Sequence, residues 1–245
     1  MVFIVRRAFY QCFMLHKNGA AVTFGIESAN VVGYQDISIN DSGFTLIAPT
    51  FEKVDGTPFY LSDLKGNFIT GESVQLWDLN GATSKEYFFM AAADTGLESD
   101  GWFEDDFATP ADKVDVKPGE AIAFASQGTS TIQFSGQVAA QGIERKTLNS
   151  GFTMIGNSRP SAVKLSEITF DGAGTGDSVQ FMDTNGATEK EYFFMAAADT
   201  GLESDGWFED DFATPADSKE INAGAGVLFN AASGVSVNIT IPAAL

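Results

Sequence analysis

Cysteine and histidine are almost missing from this chain. Its 245 residues hold one of each, Cys12 and His16, and both lie in the first 26 positions. Residues 27–245 therefore lack the side chains of the usual zinc centres and of the Cys–His and Ser–His nucleophile systems. Carboxylates, hydroxyls, amides, Lys and Arg remain for any chemistry. Basic residues are scarce as well, with 14 Lys and Arg against 33 Asp and Glu, a formal charge of −19 and a pI near 4.1. Nucleic acid and anionic membrane surfaces both require a basic footprint, so this balance argues against either as a partner. No run approaches the roughly 18–20 uninterrupted apolar residues of a membrane-spanning helix. What the chain has in quantity is apolar and aromatic: 44% hydrophobic residues, 22 of them Phe. That content argues against a disordered chain, and the length allows one large domain or two ordinary ones.

The charge is unevenly spread. Residues 1–26 contain Arg6, Arg7 and Lys17 and no acid, so residues 27–245 carry 33 acids against 11 bases, or −22. A basic start, an apolar stretch (AFYQCFML) and a small-residue end (AAVTFG) give residues 1–26 the outline of a signal or targeting segment. His16, Lys17 and Asn18 interrupt the apolar run, and an ordinary amphipathic N-terminus is the alternative. Export fits a body without thiols, and the expected location is extracellular or in the cell envelope.

The strongest signal is an internal repeat. Gly71–Asp112 and Gly176–Asp217 agree at 37 of 42 positions, and Lys85–Asp112 recurs unchanged at Lys190–Asp217. Weaker matches extend the unit: Asp41–Ile47 with Asn149–Ile155, Leu61–Leu64 with Leu165–Ile168, and Val116–Phe124 with Ile221–Phe229. The body reads as two modules, 27–138 and 139–245, each long enough for its own core. Recent duplication or gene conversion accounts for the near-identity without any function; the functional alternative is that both copies must present one surface.

Within a unit the apolar period is two. Phe44 and Leu46, Val74 and Leu76, and Ile132 and Phe134 each alternate with polar or outward residues, as half-buried strands require. Asn80-Gly81 and Asn185-Gly186 sit between two such runs and predict hairpins joining SVQLWDL to SKEYFFMA and its counterpart. LSDL, LSEI and AAADTGLES suggest short helical turns. The predicted fold is all-β: two tandem antiparallel modules of sandwich or barrel type.

The opening SANVVGYQ (Ser28–Gln35) and the strands GFTLIAPTF and GFTMIGNS resemble the repeats of secreted tandem-repeat β-proteins from bacteria of the Planctomycetes–Verrucomicrobia group, similar to "GW-N-L-I-G-N-P" β-modules of surface proteins. Phe44 and Phe152 stand where a Trp is common in that pattern. The resemblance implies an exterior location and carries no functional residues.

Three site types are candidates. In copy one Asp94, Glu98, Asp100, Glu104, Asp105 and Asp106 crowd into 13 residues; Asp199, Glu203, Asp205, Glu209, Asp210 and Asp211 repeat them. Such a loop could supply the oxygen ligands of a calcium ion, although the spacing is not that of an EF-hand, and a solvated acidic loop is the bland alternative. Trp102 and Trp207, with Tyr87 and Tyr192 nearby, could form a sugar-stacking platform flanked by carboxylates, or simply fill the core. Trp77 answers Met182 and looks like a core position that tolerates a change of volume. Paired carboxylates could serve a glycosidase, but so many acids make any pair easy to nominate. The reading that follows is a non-enzymatic structural or interaction protein of the bacterial exterior. Its partners would be further copies of itself, envelope material or a glycan. The alternatives are a carbohydrate-binding module and, further off, a carboxylate hydrolase.

Overall fold

The computed structural model describes residues 2–4, 10–15, 21–26, 32–39, 44–77, 84–117, 119–138, 142–146, 151–183, 187–232 and 236–243. Strands dominate, every named pair is antiparallel, and the sheets stay open rather than closing into barrels. The first unit stacks a five-stranded sheet on a four-stranded one. The five-stranded sheet runs, edge to edge, Gly101–Phe103, Ser84–Met90, Ser73–Trp77, Ile122–Ala125 and Phe44–Ile47. The opposing sheet is built on Val32–Ile39 paired with Ser130–Gln137. The second unit repeats the five-stranded order with Gly206–Phe208, Thr188–Met195, Ser178–Met182, Gly226–Ala231 and Gly151–Gly156. Its opposing sheet has three strands, Ile143–Lys146, Asn238–Ile241 and Thr169–Asp171.

The sequence pattern explains these elements. Ser130–Gln137 alternates in burial, with Ile132 and Phe134 inward and Thr131, Gln133 and Ser135 outward, the mark of a strand with one wet face. The pairing of Ser73–Trp77 with Ser84–Met90 has its register centred on Asn80-Gly81, as the hairpin signal predicts, although those two residues lie outside the described ones. The same holds for Asn185-Gly186, where a bulge at Phe181/Met182 also shifts the register. The predicted helical turns are there too, as single 3-10 turns at Leu61–Asp63 and Leu165–Glu167 and one-turn α-helices at Ala92–Thr95 and Ala197–Thr200. Each α turn ends on a left-handed glycine, Gly96 or Gly201. In the N-terminal stretch, Tyr10–Leu15 and Ala21–Ile26 form a hairpin, and Val2–Ile4 adds to the edge of Val32–Ile39.

Each unit has its own core. Ile39, Leu61, Val74, Trp102, Phe124, Ile132 and Phe134 fill the first; Ile155, Leu165, Val179, Trp207, Phe229 and Ile239 fill the second. Burying one such aliphatic or aromatic side chain is worth roughly 1.5–3 kcal/mol, so the two clusters dominate the stability.

A third, smaller cluster joins the units. Leu46, Ala121 and Ala123 of the first meet Met154 of the second, with Trp77, Met182 and Leu228 packed around them. Among the described residues the backbone-to-backbone contacts of the approaching edge strands come in matched pairs. The Ala48 N–H donates to the Gly224 carbonyl at 2.9 Å, and the Gly156 N–H donates to the Gly119 carbonyl at 2.9 Å. Ile47 bridges Ala225, and Ile155 bridges Glu120. By the repeat alignment Ile47 corresponds to Ile155, Ala48 to Gly156, and Gly119-Glu120 to Gly224-Ala225. The contact is therefore isologous, that of a two-fold dimer fused into one chain.

Two glycines make that approach possible. A Cβ built on Gly156 would lie 2.3 Å from the Ala48 Cβ and 2.8 Å from the Glu120 carbonyl oxygen. One on Gly226 would lie 2.5 Å from the Ala121 Cβ and 2.9 Å from the Leu46 Cβ. At both positions the first unit has Ala and the second Gly, so the halves differ where identical halves would collide. Trp77 and Ala123 in one unit stand where the other has Met182 and Leu228, so large and small residues change places across the same seam. Gly156→Ala is expected to destabilise the chain by about 1–3 kcal/mol, read from chemical denaturation. Adding Ala48→Gly to that variant should restore part of the loss, and a G156A chain as stable as the parent would contradict the packing.

Candidate functional site: a duplicated acidic hairpin

The 28 unchanged residues fall at the edge of each five-stranded sheet far from the seam, in the strand pair Ser84–Met90 with Gly101–Phe103 and its counterpart. The hairpin continues past Phe103. Phe103 bridges Pro110, the Glu104 N–H donates to the Thr109 carbonyl at 2.9 Å, and the Ala111 N–H donates to the Trp102 carbonyl at 2.7 Å. The segment 108–112 thus covers the edge that Gly101–Phe103 would otherwise expose.

The tryptophans are not a surface platform. Trp102 and Trp207 are each 2% exposed, and Tyr87 and Tyr192 are buried beside them. Trp102 meets Phe68 and Phe89 edge-on with centroids 5.4 Å apart, and Trp207 meets Phe170 and Phe194 at 4.8 and 5.4 Å. The cause is strand alternation: Trp102 lies on the inward face of a strand whose outer neighbour Phe103 is only partly covered. A ring enclosed on every side has no face to offer a sugar. Burial raises the Tyr87 hydroxyl above its ordinary value, with Glu104 adding to the effect.

The carboxylates divide by task. Asp100 accepts the Ala92 N–H at 2.8 Å, and Asp112 accepts the Trp102 N–H at 2.9 Å. Asp106 accepts the Ala108 and Thr109 N–H groups at 2.9 and 2.8 Å and the Thr109 hydroxyl at 2.6 Å. Asp94 accepts the Thr70 hydroxyl at 2.7 Å. Copy two repeats this with Asp205 on Ala197, Asp217 on Trp207 and Asp211 on Ala213 and Thr214. Glu98, Glu203 and Asp199 point to solvent, while Glu104 and Asp105 flank the tip of the first hairpin. In the second copy Lys190 lies 3.1 Å from Glu209 and 3.6 Å from Asp210, and Lys219 lies 3.5 Å from Glu209. Among the described residues no three Asp, Glu, His or Cys side chains converge as metal ligands would. Of the twelve acids offered as calcium ligands, Asp100, Asp106, Asp205 and Asp211 accept backbone N–H groups that shape the turns.

Those turns expose an aromatic that strand alternation did not single out. Phe107 and Phe212 have left-handed backbones, φ 53° and 55°, where an L side chain costs roughly 1–2 kcal/mol. The turns formed by Asp106 and Asp211 hold them there. Phe107 is 51% exposed and Phe212 53%, and each leans on a partly buried neighbour, Phe88 at 4.9 Å and Phe193 at 5.0 Å. The available clue was the pattern Asp-Phe-x-Thr-Pro, a side-chain-capped turn that carries its Phe out of the strand. Beside Phe107 lies an open cleft of about 560 Å³, bordered by Gln75, Lys85, Glu86, Glu104 and Asp105. A comparison of the chain with protein-family models, curated proteins and solved structures finds no match.

Two outcomes check this description. Trp102→Ala should cost about 3–5 kcal/mol in denaturant unfolding, as for a core aromatic, whereas a surface platform would cost less than about 0.5 kcal/mol. The second concerns Asp211. The Thr214 hydroxyl, then the Thr214 and Ala213 N–H groups, lower its carboxyl from 3.8 to about 2. A carboxylate lowered on folding stabilises the fold above its unfolded value and loses that effect as pH falls through its folded value. The turn should therefore be fully supported above pH 4 and weaken as pH falls toward 2. A carbon-detected NMR titration should place the Asp211 midpoint near 2, and Thr214→Val should move it upward. An unmoved midpoint would contradict the hydrogen-bond assignment.

Proposed function

We propose that the chain is a non-enzymatic interaction protein of the bacterial exterior, a fused two-fold scaffold that displays the same hairpin surface twice. The observation that carries this reading is the paired, sterically keyed seam between Ala48 and Gly156 and between Ala121 and Gly226. It supports a fixed relation between the two hairpins, so that one partner with repeating features can engage both. Residues 27–245 supply no Cys or His for catalysis, and six of the seventeen hairpin carboxylates accept backbone N–H groups. Placement outside the cell rests on the acid-free, basic start of residues 1–26 and on the resemblance to secreted tandem-repeat proteins.

The test is two-handedness. On immobilised envelope material, Phe107→Asn and Phe212→Asn should each speed dissociation of the full chain by at least tenfold, to similar extents, and the double variant should not bind. Asn is chosen because it tolerates the left-handed backbone. Loss confined to one copy, or no loss in the double variant, would sink the reading.

A further inference from the structure

We infer that the cleft beside Phe107, with the matching hairpin at Phe212, binds a neutral glycan, with the Phe ring as the stacking face; this rests on the two-handed reading above and names its ligand class. The argument begins with the ring. Phe107 keeps half its surface in water although Phe88 lies beside it, and the uncovered part adjoins the cleft. A volume of about 560 Å³ falls in the usual range for small organic ligands, roughly 300–1,000 Å³.

The lining narrows the chemistry. The carboxylates of Glu104, Asp105 and Glu86 offer acceptors, and Gln75 and Lys85 offer donors, around one apolar face. A ligand matching that set has C–H groups on a face and hydroxyls around its rim, which describes a pyranose ring.

Competing ligands fit less well. An apolar molecule would strip water from the carboxylates without replacing their hydrogen bonds. An anion would meet a chain of charge −19. A peptide strand would need an open sheet edge, and segment 108–112 already occupies the edge at Gly101–Phe103. A cation would compete with lysine, since in the second hairpin Lys190 already sits between Glu209 and Asp210. A neutral sugar keeps those ion pairs and hydrogen-bonds to their remaining lone pairs. Two such hairpins on one scaffold favour a polymer over a monosaccharide, because the second contact becomes intramolecular.

The experiment is affinity electrophoresis of the full chain in native gels cast with soluble neutral polysaccharides: a galactomannan, a xyloglucan, a β-1,3-glucan and dextran. At least one should retard the parent chain. F107N and F212N should each raise the apparent Kd at least tenfold, and the double variant should run unretarded while keeping the parent's circular dichroism spectrum and a melting temperature no lower than the parent's. A parent chain unretarded by every polysaccharide, or a double variant retarded like the parent, overturns the inference. A parallel arm measures binding to envelope material with the retarding polysaccharide added in excess. Competition supports the glycan, while two-handed binding that the polysaccharide leaves unchanged removes the glycan and leaves the two-handed reading standing.

Discussion

The close approach of Gly156 to Ala48 and of Gly226 to Ala121 is the constraint on which the rest of the molecule depends. Backbones can pair across the seam only because one side at each point has no Cβ. A seam between two identical units would have to place Ala on Ala, which the 2.3 and 2.5 Å separations forbid, or Gly on Gly, which leaves the lining atoms without partners. Splitting the two residue types between the halves removes both faults. The duplicated chain has thus changed where its halves touch each other and stayed the same where each faces outward. That contrast links the repeat to the geometry.

The outward hairpin is governed by a second economy, in the use of acids. Seventeen of the 33 acids lie in Gly81–Asp112 and Gly186–Asp217. Many act as local clamps: Asp106 and Asp211 hold the tips, Asp112 and Asp217 hold the tryptophan strands, and Asp100 and Asp205 hold the short helices. Elsewhere, buried Glu72 accepts the Ile69 N–H and the Ser126 and Ser130 hydroxyls. A hydrogen bond to a charged acceptor is worth roughly 1.5–3 kcal/mol where water is excluded and less at an exposed tip. The acidity is thus in part a means of shaping loops that carry little apolar surface.

Much of the fold was legible in the sequence because strands and hairpins write short-range patterns. The alternation of Ile132 and Phe134, the hairpin centred on Asn80-Gly81 and the LSDL and LSEI turns all follow from two to eight adjacent residues. The site was less legible, since exposure is a tertiary property. Trp102 and Phe107 are both aromatics among acids, and only the inward phase of one strand and the left-handed turn after Asp106 separate a core residue from a surface one. The seam was not legible either: Gly156 and Gly226 read as ordinary strand glycines until their neighbours from the other half are in place.

The central claim is that the two hairpins stand in one fixed relation. Double electron–electron resonance between spin labels at the exposed positions 105 and 210, on a chain with Cys12 replaced, measures it directly. A single narrow distance distribution is the predicted result. A broad distribution, as from two units swinging on a linker, would contradict the account.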